Sequence, residues 1–561
     1  MTRQHDTGTT TGAPHEVPGL DPDLTDWVAP DRHRFRESGL WTSTRLAERV
    51  EGFAAKAPDR EAVVDLGSAR RTGFGALDRL ANRLAHWMIE AGIEEGDVIA
   101  VQLPNCLEAA VVAIAANKLG VVVNPMLMVF RAKELRYMLG LARAKAIFVP
   151  PEYRGFSHRD LAEGVARELD HGVLSVIVDV PEPAAPESSA WLRMLAAYPE
   201  TPCGRTPDAS AVSVILFTSG TEADPKAVMH TEETLNANMR AVWAGLDMVE
   251  EKETVWMPSP VGHSTGFNFG IRYALLHGCT LVLQDRWSTE EAVALIQDER
   301  PTFTLAATVF LTDLLAAARG GPVDLSSIRI FGCGGAPIPP AVVMDAGERG
   351  MSVIRLYGQT EVLIATMNRP SSPLDKRIET DGPALDGMTV DIRDEDGRPL
   401  PRGSAGELWV QGASQCVGYY KDRERTRAKF ERGWVRTGDL AKMDEDGYVM
   451  IVGRKSEIII RGGMNITPRE IEEEIARMEG VSAVAVVGLP DARLGEICCA
   501  CVVAEDSATV TLETIVDRLR ATGMATYKLP QRLEFVSELP RTASGKIQRH
   551  ILVASLSSSP S

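Results

Sequence analysis

From about residue 41 to about residue 381, short apolar runs alternate with longer helical ones along the chain. The run GDVIAVQLP, which begins at Gly96, precedes the helical EAAVVAIAANKLG and the apolar VVVNP, and this order predicts a strand, a helix and a strand. Similar apolar runs recur as AKAIFVP, VLSVIVDV, SVILFTSG, TLVLQD, FTLAA and IRIFGCGG. Strands that alternate with helices usually pair in parallel. The pattern therefore predicts a large doubly wound α/β region, with enough strands for two sheets.

The pattern changes twice towards the C-terminus. Residues 382–453 contain shorter alternating runs and two DEDG turns, at 394–397 and 444–447, which predict hairpins and a small antiparallel β subdomain. After residue 453 the order is strand EIIIRGG, helix PREIEEEIARM, strands SAVAVVGLP and EICCACVVAE, helix TLETIVDRLRAT and strand LEFVSEL. We therefore expect a compact α+β domain of about a hundred residues at this end.

The domain limits follow from these changes of pattern. Residues 1–40 are rich in Thr, Gly, Pro and Asp, so we expect a flexible N-terminal tail. A large N-terminal domain is expected over 41–453 and a small C-terminal domain over 458–561. A chain of this length can enclose a site between domains.

Charge and composition exclude several kinds of partner. The chain carries 60 Lys and Arg against 77 Asp and Glu, a formal net charge of −17, so its field argues against a nucleic-acid partner. The eight cysteines follow neither a disulfide framework nor the spacing of metal ligands. No apolar run is long enough to span a membrane, and the first residues lack the pattern of a signal peptide. We therefore expect a cytoplasmic protein without a membrane span.

The segment FTSGTEADPKAVMH, residues 217–230, follows an apolar strand and combines hydroxyls, a glycine and a lysine. A pyrophosphoryl group is neutralised by such hydroxyls, by exposed backbone amides and by an ammonium group. The segment is not a Walker loop, because Lys226 is followed by alanine and the glycine spacing differs. Taken alone, it is equally compatible with an ordinary surface turn. The side chains and the glycine suited to phosphate are Thr218, Ser219, Gly220, Thr221 and Lys226.

Three later segments bring further polar groups. YGQTE at 357–361 offers Glu361 as a hard oxygen ligand for Mg²⁺ and Thr360 as a donor to a phosphate. TGD at 437–439 offers Asp439 as an acceptor for ribose hydroxyls. PRTASGKIQR at 540–549 places Lys546 in a loop with glycine and serine, from which it can reach a phosphate. Each of these, taken alone, is more often a solvated turn or a surface charge.

In this order, the strings FTSGT, GGAP, YGQTE, TGD, GR and SGK resemble the adenylate-forming superfamily of acyl-CoA synthetases, luciferases and peptide-synthetase adenylation domains. The resemblance extends from Trp41 to Arg549. It implies a large AMP-binding N-terminal domain, a hinge at 454–457 and a small mobile C-terminal domain that carries the catalytic lysine, Lys546. Local strings such as PVGHSTGF and IIIRGGMNIT are similar to those of bacterial cyclohexanecarboxylate or medium-chain acyl-CoA ligases.

The resemblance also implies a role for each matching residue. Lys546, Thr360, Glu361 and His263 would be catalytic, with Glu361 as the Mg²⁺ ligand and His263 beside the acyl tunnel. The nucleotide would be bound by the phosphate loop, by the segment beside adenine, by the aromatic strand end and by the ribose contacts. These residues are Thr218, Ser219, Gly220, Thr221, Glu222 and Lys226; Gly335, Ala336 and Pro337; Tyr357, Gly358 and Gln359; and Asp439 and Arg454. Gly462 and Gly463, in RGGM, would leave room for the pantetheine of CoA.

The implied reaction joins ATP and a small carboxylic acid, with Mg²⁺ as cofactor, to give an acyl-adenylate and pyrophosphate. CoA, or alternatively a carrier protein, would then accept the acyl group. The string GHSTGFNFG has no carboxylate to receive an ammonium group, which favours an aliphatic, alicyclic or aromatic acid over an amino acid. Lys546 and Mg²⁺ would offset the repulsion between two anions, and the ionised acid needs no general base.

Several alternatives stay open. A biosynthetic adenylase that works without CoA is one, either loading a carrier protein or acting as an ATP-dependent diazotase on nitrite and an aryl amine. Another alternative is a nucleotide-binding protein without catalysis. The presence of Glu361, Asp439 and Lys546 argues against it. Ala223 and Ala227 stand where relatives have glycine, and Ser456 stands where a charged hinge residue is usual, so thioester formation is less secure than adenylation. A homodimer is compatible with the sequence.

Overall fold

The computed structural model describes residues 24, 27–180, 189–218, 225–334, 338–491, 493–504, 510–542 and 546–557. Two largely parallel sheets form the main body of the large domain. The first has eight strands in the order β16-β15-β14-β13-β11-β12-β1-β2, with antiparallel strands at both edges. The second has six strands in the order β10-β9-β4-β3-β5-β8, and β10 is antiparallel to β9. This confirms the doubly wound α/β architecture.

The strands of these sheets are short and mostly buried, as the continuous apolar runs predict. The first sheet comprises β1 Glu61–Asp65, β2 Arg70–Gly73, β11 Thr254–Met257, β12 Thr280–Leu283, β13 Phe303–Ala306, β14 Ile330–Gly334, β15 Ser352–Gln359 and β16 Leu363–Met367. The second comprises β3 Val98–Val101, β4 Val122–Pro125, β5 Ala146–Val149, β8 Leu174–Ile177, β9 Val212–Thr218 and β10 Lys226–Thr231. The small pair β6 Glu152–Tyr153 and β7 Phe156–Ser157 lies beside them.

One helix, Leu107–Leu119, is buried over its whole length and contacts strands of both sheets, β1 and β4. A helix that is apolar on all sides needs such an interior position. The other helices of the large domain are Arg32–Glu37, Leu46–Lys56, Phe74–Glu90, Ala132–Ala142, His158–Glu168, Ala190–Leu195, Glu232–Gly245, Tyr273–Leu276, Thr289–Glu299, Thr308–Gly320, Pro340–Glu348, Leu374–Glu379 and Arg423–Lys429. A π-helix spans Thr265–Arg272.

Residues 27–40, which the sequence analysis assigned to the tail, pack on the large domain. Phe35 of the helix Arg32–Glu37 is buried, and the indole N–H of Trp27 donates to the Phe430 carbonyl at 2.7 Å. Arg36 forms an ion pair of 2.7 Å with Glu233. Ordered packing therefore begins before residue 41, because aromatic and arginine side chains interrupt the polar composition of this segment. The expectation of a flexible tail stays a prediction for residues 1–23, which lie outside the described part of the chain.

The predicted β subdomain is an antiparallel five-stranded sheet. Its strands are β17 Met388–Arg393, β18 Gly406–Gly412, β19 Phe430–Glu431, β20 Trp434–Met443 and β21 Val449–Arg454. The turn 444–447 joins β20 to β21, as the DEDG string predicts. This pairing sets Asp439 opposite Arg454. The β subdomain thereby brings an acid and a base side by side at its end.

The small domain has a five-stranded sheet with helices on both faces. Its strands are β22 Ile459–Arg461, β23 Met464–Ile466, β24 Val481–Asp491, β25 Gly495–Ala504 and β26 Arg532–Phe535, and its helices are Pro468–Ile475, Leu512–Ala521 and Arg549–Ser557. Cys498 faces one core, and Cys499 and Cys501 face the other. The thiols are therefore buried packing groups. No cluster of three or more metal-ligating side chains occurs within the described residues.

A 3₁₀ turn, Lys455–Glu457, connects the two domains, and two sets of ion pairs fix it. The buried carboxylate of Glu407, on β18, lies 3.4 Å from Arg436 and 3.8 Å from Lys455 of the turn. Arg549 of the small domain lies 3.6 Å from Glu457 and 2.7 Å from Glu472. The turn is thus tied to both domains in this arrangement. A short 3₁₀ turn, Thr526–Lys528, also occurs in the small domain.

Candidate active site

The predicted phosphate loop is the connection between β9 and β10. These strands are antiparallel, and their register pairs Thr218 with Lys226, so the two residues lie side by side at the base of the loop. Ala227 lies in β10, where an extended backbone accommodates alanine without strain. The departure from glycine at this position therefore has no conformational cost. Ser219, Gly220, Thr221, Glu222 and Ala223 lie outside the described residues.

The strand end that carries Tyr357, Gly358 and Gln359 faces the β subdomain. The Tyr357 hydroxyl donates to Asp439 Oδ2 at 2.6 Å, and the Gln359 amide donates to the same oxygen at 2.6 Å and to the Thr437 carbonyl at 2.9 Å. Gly358 is required by close packing, since a Cβ there would lie 2.1 Å from the Leu363 carbonyl oxygen. Burial, together with the charge of Asp439, raises the pKa of Tyr357 well above its ordinary value. Tyr357 therefore stays a neutral donor.

Asp439 is the centre of this part of the site. Its Oδ1 atom lies 2.9 Å from Arg454 Nε, while Oδ2 receives the two bonds from Tyr357 and Gln359. The charge of Asp439 is the main cause of the raised pKa of Arg454. An anionic acceptor thus stands at the junction of the two domains, surrounded by donors. Another predicted part of the nucleotide site is the segment beside adenine, Gly335, Ala336 and Pro337. It follows β14 in the chain and lies outside the described residues.

Glu361 is buried and has two polar neighbours at one oxygen. The Tyr419 hydroxyl donates to Oε1 at 2.7 Å, and Lys429 Nζ lies 3.9 Å from the same atom. Lys226 Nζ lies 5.8 Å from the centre of the Tyr419 ring. Burial raises the pKa of Glu361, but the charge of Lys429 and the bond from Tyr419 outweigh this effect, so its pKa is below the ordinary value. The carboxylate is therefore ionised and available to a cation.

Thr360 is held through its backbone. His230, fully buried on β10, forms a hydrogen bond of 2.7 Å between its Nε2 atom and the Thr360 carbonyl, and its Nδ1 atom lies 3.1 Å from Thr234 Oγ1. Burial lowers the pKa of His230 to about 4, so the ring is neutral at physiological pH. A carbonyl can only accept, which places the ring proton on Nε2. The phosphate hairpin and the segment 360–361 are thereby connected.

Lys546 comes from the small domain and lies among charged groups of the large one. Its backbone is held by Thr542, whose N–H donates to the Lys546 carbonyl at 2.8 Å, and by the bridge that pairs Arg541 with Ile547. Loss of hydration and the positive charge of Arg454 lower the pKa of Lys546, while Asp439 and Glu361 act in the opposite direction. The same ammonium group contributes, after burial, to the lowered pKa of His263, about 4. The structure therefore brings Lys546, Glu361, Asp439, Arg454 and His263 into one electrostatic neighbourhood.

His263 begins the segment that leads into the π-helix Thr265–Arg272. The Thr265 backbone N–H donates to its Nδ1 atom at 3.2 Å, which leaves the proton of the neutral ring on Nε2. π-helical turns are frequent at functional sites. The ring of His263 is therefore uncharged at physiological pH, and its place beside an acyl tunnel stays a prediction from the sequence.

Gly462 and Gly463 form the turn between β22 and β23. Their φ angles are +57° and +81°, a conformation that other residues rarely adopt, and a Cβ on Gly463 would meet no atom within 4 Å among the described residues. Arg461, just before them, donates to the Tyr527 carbonyl at 2.6 Å. The turn is thus open on its outer side, and its arginine is already held by the neighbouring segment.

Sequence reasoning missed three residues of the site: His230, Tyr419 and Lys429. His230 ends the motif 217–230 without a polar pattern of its own, and Tyr419 belongs to the string GYY, in which an aromatic pair beside glycine is a weak signal. Lys429 ends the helix Arg423–Lys429, whose sequence RERTRAK is typical of a solvated surface helix. Their contacts with the segment 359–361 join residues that are 58 to 130 positions apart in the chain, so local patterns cannot indicate them.

Comparison with known proteins places these features in context. The AMP-binding enzyme family model matches residues 50–420, and the AMP-binding enzyme C-terminal domain model matches residues 470–546. The chain is 37% identical over 524 residues to the medium-chain fatty-acid–CoA ligase of Escherichia coli (strain K12), covering 93% of this chain and 92% of that protein. It is 32% identical over 536 residues to the salicylyl-CoA synthase / salicylate adenylyltransferase of a Streptomyces species, covering 93% and 96%.

A solved structure agrees with the sequence comparisons. The fold is similar to the crystal structure of ATP-bound MatB from Rhodopseudomonas palustris, with a TM-score of 0.83 at 27% identity over 92% of this chain and 99% of that one. No helix within the described residues is both long and apolar enough to cross a membrane.

Proposed function

The chain belongs to the AMP-binding enzyme family, and on this basis we propose that it uses ATP to activate a carboxylic acid as an acyl-adenylate and then transfers the acyl group to CoA. Relatives named acyl-CoA ligases support this reading, as does the ATP-bound relative of the same fold. The observation that supports it most directly is the position of Lys546, which reaches from the small domain into the neighbourhood of Glu361 and Asp439.

The residues near Glu361 fit a magnesium ion that arrives with ATP. No group of three or more acidic, histidine or cysteine side chains able to hold a metal occurs among the described residues. Mg²⁺ at nucleotide sites is usually bound by one or two carboxylates, with phosphate oxygens and water completing its shell. Glu361, buried and ionised, suits that role. The ion would neutralise charge on the phosphates.

In the adenylation step, a carboxylate oxygen of the acid forms a bond to the α-phosphorus, and the bond from that phosphorus to the oxygen bridging the α- and β-phosphates breaks. Pyrophosphate leaves with the electron pair. Lys546 stays protonated and stabilises the negative charge on the α-phosphoryl oxygens. Thr218 and Lys226 stand at the base of the phosphate hairpin, where they would hold the leaving group, and the Asp439–Arg454 pair would receive the ribose.

In the second step, the thiol of CoA would release its proton to solvent, and its sulfur would form a bond to the acyl carbon. The bond from that carbon to the phosphate oxygen of the adenylate would break, and AMP would leave with the electron pair. We propose that the small domain, 458–561, turns about 454–457 relative to the large domain, 41–453, and exchanges Lys546 for the turn with Gly462 and Gly463. The outward-facing turn and the arginine beside it support this exchange. Such domain movements allow one cleft to serve two reactions.

We propose an uncharged aliphatic, alicyclic or aromatic acid as the substrate. The neutral state of His263 supports this, since burial gives its pKa a value of about 4 and leaves the ring uncharged at physiological pH. The two named relatives act, by their names, on a medium-chain fatty acid and on salicylate, which are acids of these classes.

The test is pyrophosphate release from ATP with a panel of acids, with and without CoA. The panel contains fatty acids of increasing length, cyclohexanecarboxylate, salicylate, amino acids and nitrite, and mass spectrometry identifies each product. We expect release of pyrophosphate with an acid whose side chain is uncharged, and formation of its thioester when CoA is also present. The variant Lys546→Ala, purified in the same way, controls for contaminating enzymes. Pyrophosphate release without any thioester would instead indicate a CoA-independent adenylase. If no acid in the panel, nor nitrite, leads to cleavage between the α- and β-phosphates, the proposal is wrong.

A further inference from the structure

Lys429 is the last residue of the helix Arg423–Lys429, and it points inward. Its side chain is only 16% exposed, whereas Arg427, two residues earlier, is exposed. The Lys429 Nζ atom lies 3.2 Å from the Thr437 carbonyl oxygen, 3.3 Å from Gln359 Oε1 and 3.9 Å from Glu361 Oε1. A lysine at a helix end is normally solvated, so this inward position needs an explanation.

The contacts of Lys429 account for its burial. An ammonium group has three donors and no acceptor, and it is stable away from water only where acceptors or an anion surround it. Two carbonyl-type oxygens accept from Lys429, and the Glu361 carboxylate supplies the opposite charge. The lysine is therefore held by its surroundings, and two of its neighbours, Gln359 and Glu361, belong to the candidate nucleotide site.

Glu361 needs a cation whether or not a nucleotide is bound. A buried carboxylate without a counter-ion is strongly destabilising. Tyr419 offers a neutral hydrogen bond to Oε1, and Lys429 approaches the same oxygen as a full positive charge. Lys226 is more remote, since its contact is with the Tyr419 ring at 5.8 Å.

We propose that Lys429 is a resident counter-ion that neutralises Glu361 while the nucleotide site is empty, a role that a magnesium ion bound with ATP would take over. This inference rests on the proposed role of Glu361 as the magnesium ligand. Lys429 acts through Glu361 and Gln359, so it is a positioning residue and not a catalytic one. It also prevents Gln359 from rotating, because it holds Oε1 while the amide group donates to Asp439.

This role has a measurable consequence for ATP binding. Without Mg²⁺, Lys429 is the only cation within 4 Å of the Glu361 carboxylate among the described residues, nearer than Lys226, Arg454 or Lys546, so it most reduces the repulsion between this carboxylate and the phosphates. With Mg²⁺, the metal supplies that charge and Lys429 contributes little. Removal of the lysine charge therefore weakens the binding of metal-free ATP more than the binding of Mg-ATP. A general loss of structure would weaken the binding of both forms alike.

The experiment measures the Kd of ATP by calorimetry, without any acid, in excess Mg²⁺ and in EDTA. The quantity of interest is the ratio of the metal-free Kd to the Mg²⁺ Kd. We expect this ratio to rise about tenfold in Lys429→Met, because one charge at short range is lost in a partly buried site. Lys429→Arg, which keeps the charge, and Arg427→Met, which removes a charge from the exposed side of the same helix, keep the ratio of the unmodified protein.

Two outcomes overturn the proposal. One is an unchanged ratio in Lys429→Met, or in Lys429→Gln if the methionine variant does not fold. The other is a tenfold rise of the ratio when the double variant Lys429→Met/Glu361→Gln is compared with Glu361→Gln alone. The effect of Lys429 must pass through the carboxylate, so it should vanish in that comparison. Because no acid is added, a protein that activates none of the acids in the panel but still gives the tenfold rise disproves the proposed function and leaves the role of Lys429 intact.

Discussion

Replacing Asp439 with asparagine tests the hydrogen-bond network at the centre of the site. Asp439 is 3% exposed, and both of its oxygens accept: Oδ2 from Tyr357 and Gln359 at 2.6 Å each, and Oδ1 from Arg454 at 2.9 Å. Asparagine has one acceptor and one NH₂ group of the same size. In either orientation of the amide, its NH₂ group faces a donor, so Asp439→Asn cannot satisfy all three neighbours.

The expected loss of stability follows from the less destabilising of the two orientations of the asparagine amide. With the amide oxygen towards Tyr357 and Gln359, only the charge-assisted bond to Arg454 is lost, and such bonds contribute about 1.5–3 kcal/mol. The Arg454 side chain is 43% exposed and recovers part of this from water. We therefore expect a loss of about 1–2 kcal/mol of stability. If Asp439 accepts both ribose hydroxyls, ATP affinity falls about tenfold to a hundredfold.

Differential scanning calorimetry and ATP titration check these two values. The control is Asp446→Asn, which makes the same chemical change in an exposed residue that pairs with Lys376. Such a pair contributes little to stability, so this variant should unfold at nearly the temperature of the unmodified protein. A melting temperature and an ATP Kd for Asp439→Asn that both equal those of the control would refute the network as described.

The other predictions concern the two reactions and the backbone near the phosphates. Lys546→Ala should lower pyrophosphate release by about a thousandfold, because it removes the cation at the developing charge, and should change the ATP Kd less than about threefold, as read by calorimetry. Loss of hydration and the charge of Arg454 lower the pKa of Lys546, so its charge is lost at a lower pH than in free lysine, and the rate should fall as pH rises through that pKa; Lys546→Arg should shift this fall to higher pH. Ser456→Pro should leave adenylation measurable but stop thioester formation, because it stiffens the turn, and an unchanged thioester rate would count against domain rotation. His230→Leu should slow adenylation about tenfold by releasing the Thr360 carbonyl, whereas His230→Gln, whose amide still donates, should recover part of the rate; equal rates in both variants would contradict a positioning role.

Most of the fold could be predicted because its strands are local apolar runs. The runs that became β3, β4 and β5 are buried on both faces, as parallel strands require, and the two DEDG strings correspond to real turns. The packing of residues 27–40 was not predictable, since it depends on single side chains such as Trp27 and Phe35 that meet distant surfaces. Composition alone assigned this stretch to a tail.

The site was predictable only where its residues lie in compact motifs. Glu361, Asp439 and Lys546 stand in recognisable strings, and the structure brings them together. Lys429 and Tyr419 approach Glu361 through tertiary contacts, and nothing in the spacing of RERTRAK distinguishes an inward lysine from outward ones. Ser219, Gly220, Thr221 and Glu222 remain predictions from the sequence.

The carboxylate of Glu407 has two cationic neighbours, and only one of them belongs to the connecting turn. A swing of the small domain that withdraws Lys455 leaves Arg436 in place, because Arg436 belongs to β20 of the large domain. Glu407 therefore has a counter-ion before and after the swing, and the barrier to reorientation does not include stranding a buried anion. In the proposed rotation, the contact of Glu407 with Lys455 would break while the contact with Arg436 holds, so this ion pair would favour one orientation of the small domain without blocking its movement.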